Sequence, residues 1–157
     1  MRTLLPLLAV LLGGCATFDA YLNGSYNSTA FPALDAPPET IAMVSQSETE
    51  SVGVLCAVDD TPILINPRGN GEGLWAKRVA LSPGEHAVLT GWRQPGRYSP
   101  DALLCSADFA AGRAYRIDYD VSLPRQARAW LADAATGEHL ADCHARASTA
   151  SAWPFTR

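Results

Sequence analysis

The sequence predicts an all-β protein: a small antiparallel β-sandwich of about seven strands, set behind a signal peptide and a flexible tether. Apolar and polar residues alternate at period two over short stretches, as strands with one buried face require. Clusters of Pro, Gly, Asn and Asp punctuate those stretches at regular spacing. No segment carries the 3.6-residue apolar stripe of a packed helix.

The strands follow in order. Val52, Val54, Cys56 and Val58 alternate and stop at Asp59-Asp60-Thr61-Pro62, a turn signal. Residues 63–65 form a short apolar run, and residues 66–73 are loop. Residues 75–81 read as a strand ended by Ser82-Pro83-Gly84-Glu85, with Pro and Gly in turn positions. Residues 86–92 are the next strand, closed by the loop at residues 93–97. Leu103, Cys105, Ala107 and Phe109 alternate up to Ala111-Gly112, and Tyr115, Ile117, Tyr119 and Val121 alternate after it. Ala127, Ala129 and Leu131 lead into the hairpin turn Asp133-Ala134-Ala135-Thr136-Gly137, and Leu140 starts the return strand.

The N-terminus is built differently. Arg2 gives a short positive region, and the apolar run of residues 4–12 has the length of a secretory signal and is too short to span a bilayer. It ends in Leu12-Gly13-Gly14-Cys15. This stretch resembles the lipobox of bacterial lipoproteins. The resemblance implies cleavage before Cys15, a covalent lipid on that cysteine as the protein's one attached group, and anchoring by several acyl chains where one would be marginal. Ala16, in place of an aspartate, implies sorting to the outer membrane, with the domain facing the periplasm. The expected organisation is a signal over residues 1–14, a lipidated cysteine and flexible tether over 15–40, a sandwich over 41–145 and a tail over 146–157. The tether reading rests on Asn, Ser, Thr, Ala and Pro, a composition that builds no core. Its aromatics Phe18, Tyr21, Tyr26 and Phe31 exceed what a spacer needs and point to partial packing on the domain.

Charge and size narrow the partners. The chain has 157 residues and 16 acids against 12 bases, for a net charge of −4. It has no basic block, so nucleic acid and anionic headgroups are poor partners. The expected contacts are the membrane, through the lipid, and an envelope protein.

Three motifs recur in order: Pro83-Gly84-Glu85-His86, Ala111-Gly112-Arg113-Ala114-Tyr115, and Asp133 with Thr136-Gly137. Together they resemble a group of small proteobacterial lipoproteins and periplasmic proteins with PG-x-H, AG-x-x-Y and D-x-x-TG patterns. The resemblance covers residues 50–142 and implies a small β-sandwich with no established activity. Asp59-Asp60 departs from it, since the group has Asp-Gly there.

Candidate chemistry is sparse. His86, just after a turn, reads as a half-buried residue tying that turn by hydrogen bonds. His139, Asp142, Cys143 and His144 are the one local set of metal-capable side chains, but strand parity splits them between two faces. The same parity denies Cys143 and His144 a nucleophile–base pairing. Asp118 and Asp120 lack a partner carboxylate at fixed distance, and Asp133 reads as an Asx-turn residue. Gly69, Gly71 and Gly73 lack the Lys-Ser/Thr and helix of a phosphate loop. No catalytic residue and no metal site are assigned, so the protein reads as non-catalytic.

Beyond Cys15, the cysteines are Cys56, Cys105 and Cys143. An exported protein can hold a disulfide, and one bridge with one thiol left over is expected. Cys56 and Cys105 share the apparent inward parity of their strands, so a bridge between the two sheets is expected there. Two buried thiols are the alternative, and Cys143 is the odd cysteine. Among the tryptophans, Trp130 has opposite parity to buried Leu131 and is placed on an outer face. Trp92, Tyr98 and Trp130 form the candidate ligand or partner surface, an aromatic platform for glycan or peptidoglycan fragments or a protein contact.

Overall fold

The structure, a computed structural model, describes residues 25–47, 52–65, 76–94, 97–98, 102–122 and 127–146. The signal sequence, Cys15, the glycine-rich loop at 66–73 and the tail after Arg146 lie outside the described residues. The strands are β1 (Ser25–Tyr26), β2 (Ala42–Gln46), β3 (Val52–Val58), β4 (Thr61–Pro62), β5 (Leu64–Ile65), β6 (Arg78–Leu81) and β7 (Gly84–Gln94). They continue with β8 (Arg97–Tyr98), β9 (Ala102–Phe109), β10 (Ala114–Asp120), β11 (Arg128–Asp133), β12 (His139–Asp142) and β13 (His144–Arg146). A single turn of 3₁₀ helix, Pro38–Thr40, is the helical segment among the described residues. The all-β class is therefore as expected, with more strands than seven, several of them two residues long.

Two sheets carry the fold. The first runs β12-β11-β10-β2-β6, and the second runs β13-β9-β7-β3-β4 with β8 paired to the end of β7. Pairing is antiparallel apart from β10 with β2, which is parallel. The inner faces supply a shared core in which Val44, Leu55, Val79, Val88, Ile117 and Leu131 are fully enclosed. Each such side chain contributes about 1.5–3 kcal/mol relative to exposure. β2 is absent from the strands expected from sequence, although Ala42, Val44 and Gln46 alternate inward. Its flanking Ala and Ser are too small and too weakly strand-forming to stand out.

Three other differences have local causes. First, the expected tether ends too late. Asn27 donates its backbone N–H to the Ile63 carbonyl (2.9 Å) and its amide nitrogen to the Pro62 carbonyl (3.0 Å). Phe31 is in the core, and the Tyr26 hydroxyl donates to the Pro32 carbonyl while accepting from the Ala80 amide. Residues 25–40 belong to the folded unit.

Second, β3 does not keep one parity. Its register against β7 shifts between Leu55 and Ala57, a β-bulge. Leu55 and Val58 face the core, whereas Val54, Cys56 and Ala57 form a separate buried cluster with Leu89 and Ala102. Third, Asp59 and Asp60 adopt the conformation an Asp-Gly pair would. Their φ angles are 49° and 62°, and they close the two-residue hairpin between β3 and β4. Primed turns of this kind match strand twist but cost a non-glycine residue of order 1–3 kcal/mol. Asp carries that cost better than most, because its carboxylate bonds the local backbone.

Gly53 leaves room for a ring from the facing sheet. It sits opposite Trp92 on β7, and the Tyr119 ring from β10 lies over it. The Tyr119 hydroxyl bonds the Thr90 hydroxyl, which donates to the Val54 carbonyl (2.7 Å). A Cβ at Gly53 would overlap the Tyr119 ring and lie 2.9 Å from the Gln46 side-chain oxygen. Gly53→Ala is expected to cost about 1–3 kcal/mol. Thermal unfolding should show the midpoint falling by several degrees, and an unchanged midpoint would refute the packing argument.

The D-x-x-TG hairpin makes a second case. Asp133 accepts from the Ala135 and Thr136 amides (2.9 and 3.0 Å) and pairs with Arg113 at 2.6 Å. The Arg113 bond and then the Thr136 amide hold its carboxyl down at about 2, against the opposing effect of burial. A depressed carboxyl stabilises the fold above its unfolded value, about 3.9. That contribution fades as pH falls towards 2. The stability gap between the wild type and Asp133→Asn should therefore be full at neutral pH and shrink through this window in pH-dependent melts.

Candidate functional site

The cysteines are paired differently from the sequence expectation. Cys105 is bonded to Cys143, with Cα atoms 4.2 Å apart, and Cys56 is a buried free thiol. The β3 bulge explains the error. Cys105 faces the core from β9, while Cys56 is turned to the opposite side of the same sheet. Cys143 is not an odd residue but the link between β12 in the first sheet and β13 in the second. Its amide still donates to Ala129 of β11 (2.9 Å) while its sulfur reaches β9. Burial pushes the Cys56 thiol up to about 12, so it holds little thiolate and is a poor nucleophile.

The proposed aromatic platform also divides. Trp92 is 1 % exposed and cannot stack on a ligand. Its parity showed this already, since it lies an even number of residues from inward-facing Val88. Tyr98 is placed on β8 opposite Arg93, and its side chain lies outside what is described. Trp130 remains. It is half-buried on the outer face of the first sheet, beside Asp118 across the strand pair, and its ring stacks on His139 at 6.1 Å and 11°.

His139 and Asp142 also form an ion-pairing contact of 3.2 Å, contrary to the expected split between faces. A register shift between β11 and β12 sets Ala132 opposite His139 and Trp130 opposite Asp142. The extra residue returns both side chains to one face. No group of three metal-capable side chains comes together among the described residues. No described helix is long and apolar enough to cross a membrane.

A groove of about 440 Å³ lies at the opposite sheet, lined by Asp59, Glu85, His86, Ala87, Ser106 and Asp108 among others. His86 ties the turn, as its position suggested. Its Nδ1 is 2.6 Å from Asp59 Oδ2 and its Nε2 is 2.9 Å from the Ser82 carbonyl oxygen. Both ring nitrogens lie at hydrogen-bond distance from these two groups, and neither is bonded to Ser106. The groove therefore contains a serine and a histidine without a nucleophile–base pair.

The three motifs converge beside this groove. The His86 ring is 6.3 Å from Phe109, which meets Tyr115 edge-on at 4.9 Å. The Tyr115 hydroxyl accepts from the Ala110 amide (2.9 Å), closing the AG turn, where Gly112 has φ 77°. Arg113 covers the Tyr115 ring and pairs with Asp133. The signatures thus build one corner of the sandwich.

Peptide mapping without reduction should recover Cys105 linked to Cys143, with Cys56 alkylated once the chain is unfolded. Replacing both bridged cysteines by Ala should cost about 4 kcal/mol for a 38-residue separation by loop closure. Recovery of a Cys56–Cys105 peptide would overturn the pairing.

No family model, curated protein or solved structure matches this chain.

Proposed function

We propose that the chain is an exported lipoprotein, held by lipid on Cys15 at the periplasmic side of the outer membrane. Its β-sandwich serves as a non-catalytic interaction module for another envelope component. The observation that carries export is the Cys105–Cys143 bond. Structural disulfides persist in oxidising compartments and are rare in the bacterial cytoplasm. It agrees with a signal ending in Leu12-Gly13-Gly14-Cys15 and adds a line of support independent of that stretch.

Non-catalytic use is supported by the chemistry of the described side chains. His86 is fully engaged, Cys56 is buried, and the carboxylates Asp118 and Asp133 are held by Arg116 and Arg113. Glycan binding is the second reading, favoured by one observation: the half-exposed Trp130 ring is stacked on His139, whose Nε2 contacts Asp142, so an aromatic ring and polar groups share one outer patch. Apolar sugar faces stack on such rings while their hydroxyls bond flanking polar groups.

The test is metabolic labelling with a fatty acid, followed by mass spectrometry of the N-terminal peptide. The wild type should carry acyl chains on Cys15, and Cys15→Ala should lose the label and accumulate with its signal uncleaved. Label retained by Cys15→Ala would refute the anchor. Trp130→Ala separates the two readings of the module, because loss of peptidoglycan-fragment binding in titrations would move the assignment to the glycan.

A further inference from the structure

The second sheet is apolar on both faces over part of its length. Cross-strand neighbours share a face, so the core residues Val88, Leu103 and Cys105 mark its inner side. Leu89, Ala102 and Leu104 alternate with them and point outward, where they cluster with Val54, Cys56 and Ala57. Further along the same outer face, Glu85, Ser106 and Asp108 are polar and exposed. The apolar part is not: Val54 is fully enclosed, Ala102 is 2 % exposed and Cys56 is 8 % exposed. A sheet with one face in water alternates apolar and polar residues, whereas a sheet covered on both faces does not. The principal contacts of β3 and β9 outside their own sheet go to β2, β10, β11 and β12, all in the first sheet, on the inner side. Among the described strands, none forms a layer over the outer cluster.

The course of β13 points to the cover. Arg146 is paired with Ala102, so its side chain shares the outer face, and its guanidinium donates to Asp60 at 2.6 Å. Asp60 lies in the β3–β4 turn, at the far edge of the sheet and several residues further along the strands. On a flat sheet β13 and β3 would already be about 14 Å apart, at three strand spacings. The contact therefore requires the sheet to curl about its outer face, which makes the apolar cluster the floor of a trough. The chain leaves Arg146 at the rim of that trough, beside Ala102.

Residues 147–157 have the chemistry such a trough takes: small residues from Ala147 to Ala152, then Trp153 and Phe155, with no acid among them. At about 3.3 Å per extended residue, the stretch from Arg146 to Trp153 can span about 23 Å, more than the width from β13 to β3. We propose that the segment after Arg146 is a third layer of the sandwich, laying Trp153 and Phe155 into the trough over Val54, Cys56, Leu89 and Ala102. The Arg146–Asp60 bond clasps the start of that segment across the face. The apolar face is then satisfied within the chain, and an envelope partner meets other surfaces.

Cys56 is a buried free thiol on the trough floor, so its alkylation reports the cover. In the whole chain it should alkylate slowly under native conditions, read by mass spectrometry of its peptide. A chain ending at Arg146 should alkylate there at least about tenfold faster, with Cys105 and Cys143 still linked. An unchanged rate would overturn the proposal. Photocrosslinking decides the case in which the shortened chain does not fold. With p-benzoylphenylalanine in place of Trp153, the whole chain should crosslink to the peptides that hold residues 54–57 or Leu89. Crosslinks confined to other peptides, or none, would give the face to another part of the chain and refute the assignment.

Discussion

The chain has to leave one sheet and enter the other at Cys143, and the rest of the sandwich depends on how that crossing is fixed. β12 is the edge of the first sheet and β13 the edge of the second, with Cys143 between them. Such a crossing releases backbone groups from one ladder before the next takes them up. The Cys143 amide keeps its bond to Ala129 of β11, and the sulfur ties the same residue to β9. Because β9 lies between β13 and β7, the bridge anchors the closing edge to the strand that carries Phe109 and lines the core. Where the described residues hold only a single 3₁₀ turn, the sandwich has few other ways to clamp its edges together, and the covalent link acts on the unfolded chain as well as the folded one.

Sequence reading recovered the class and the turns because both depend on local chemistry. The hairpin at Asp133 to Gly137 and the turn at Ala111-Gly112 need residues that bond their own backbone or accept positive φ, and such residues announce themselves. What failed was everything that passes parity through an irregularity. Cys56 was assigned to the core by counting from Val54 to Val58, and a single extra residue at the β3 bulge reverses the second half of that count. His139 and Asp142 were separated by the same rule and reunited by a register shift. Bulges leave little mark on composition, so sequence does not reveal them. Trp92 is the contrary case. It shares strand parity with inward-facing Val88, and that count alone places it inward.

The motif residues gain a physical meaning once their contacts are known. PG-x-H, AG-x-x-Y and D-x-x-TG look like fragments of a functional signature when written along the chain. In space, His86, Phe109, Tyr115, Arg113 and Asp133 form a continuous line of ring and charge contacts across both sheets. Each glycine permits a turn that lets the next member arrive. A pattern of this kind is what a corner needs: three turns from different hairpins must be held in fixed relation, and one aromatic stack does it.

The same contacts decide which side chains remain available at the surface. Residues that specify a corner are largely consumed by it, since the Tyr115 hydroxyl, both His86 nitrogens and the Asp133 carboxylate all have internal partners. In this chain they therefore serve the packing of the corner. Among the described side chains outside the motifs, Trp130 stacks on His139, which contacts Asp142, on the outer face of the first sheet. The corner motifs and the outer face of the first sheet are thus built from separate sets of residues.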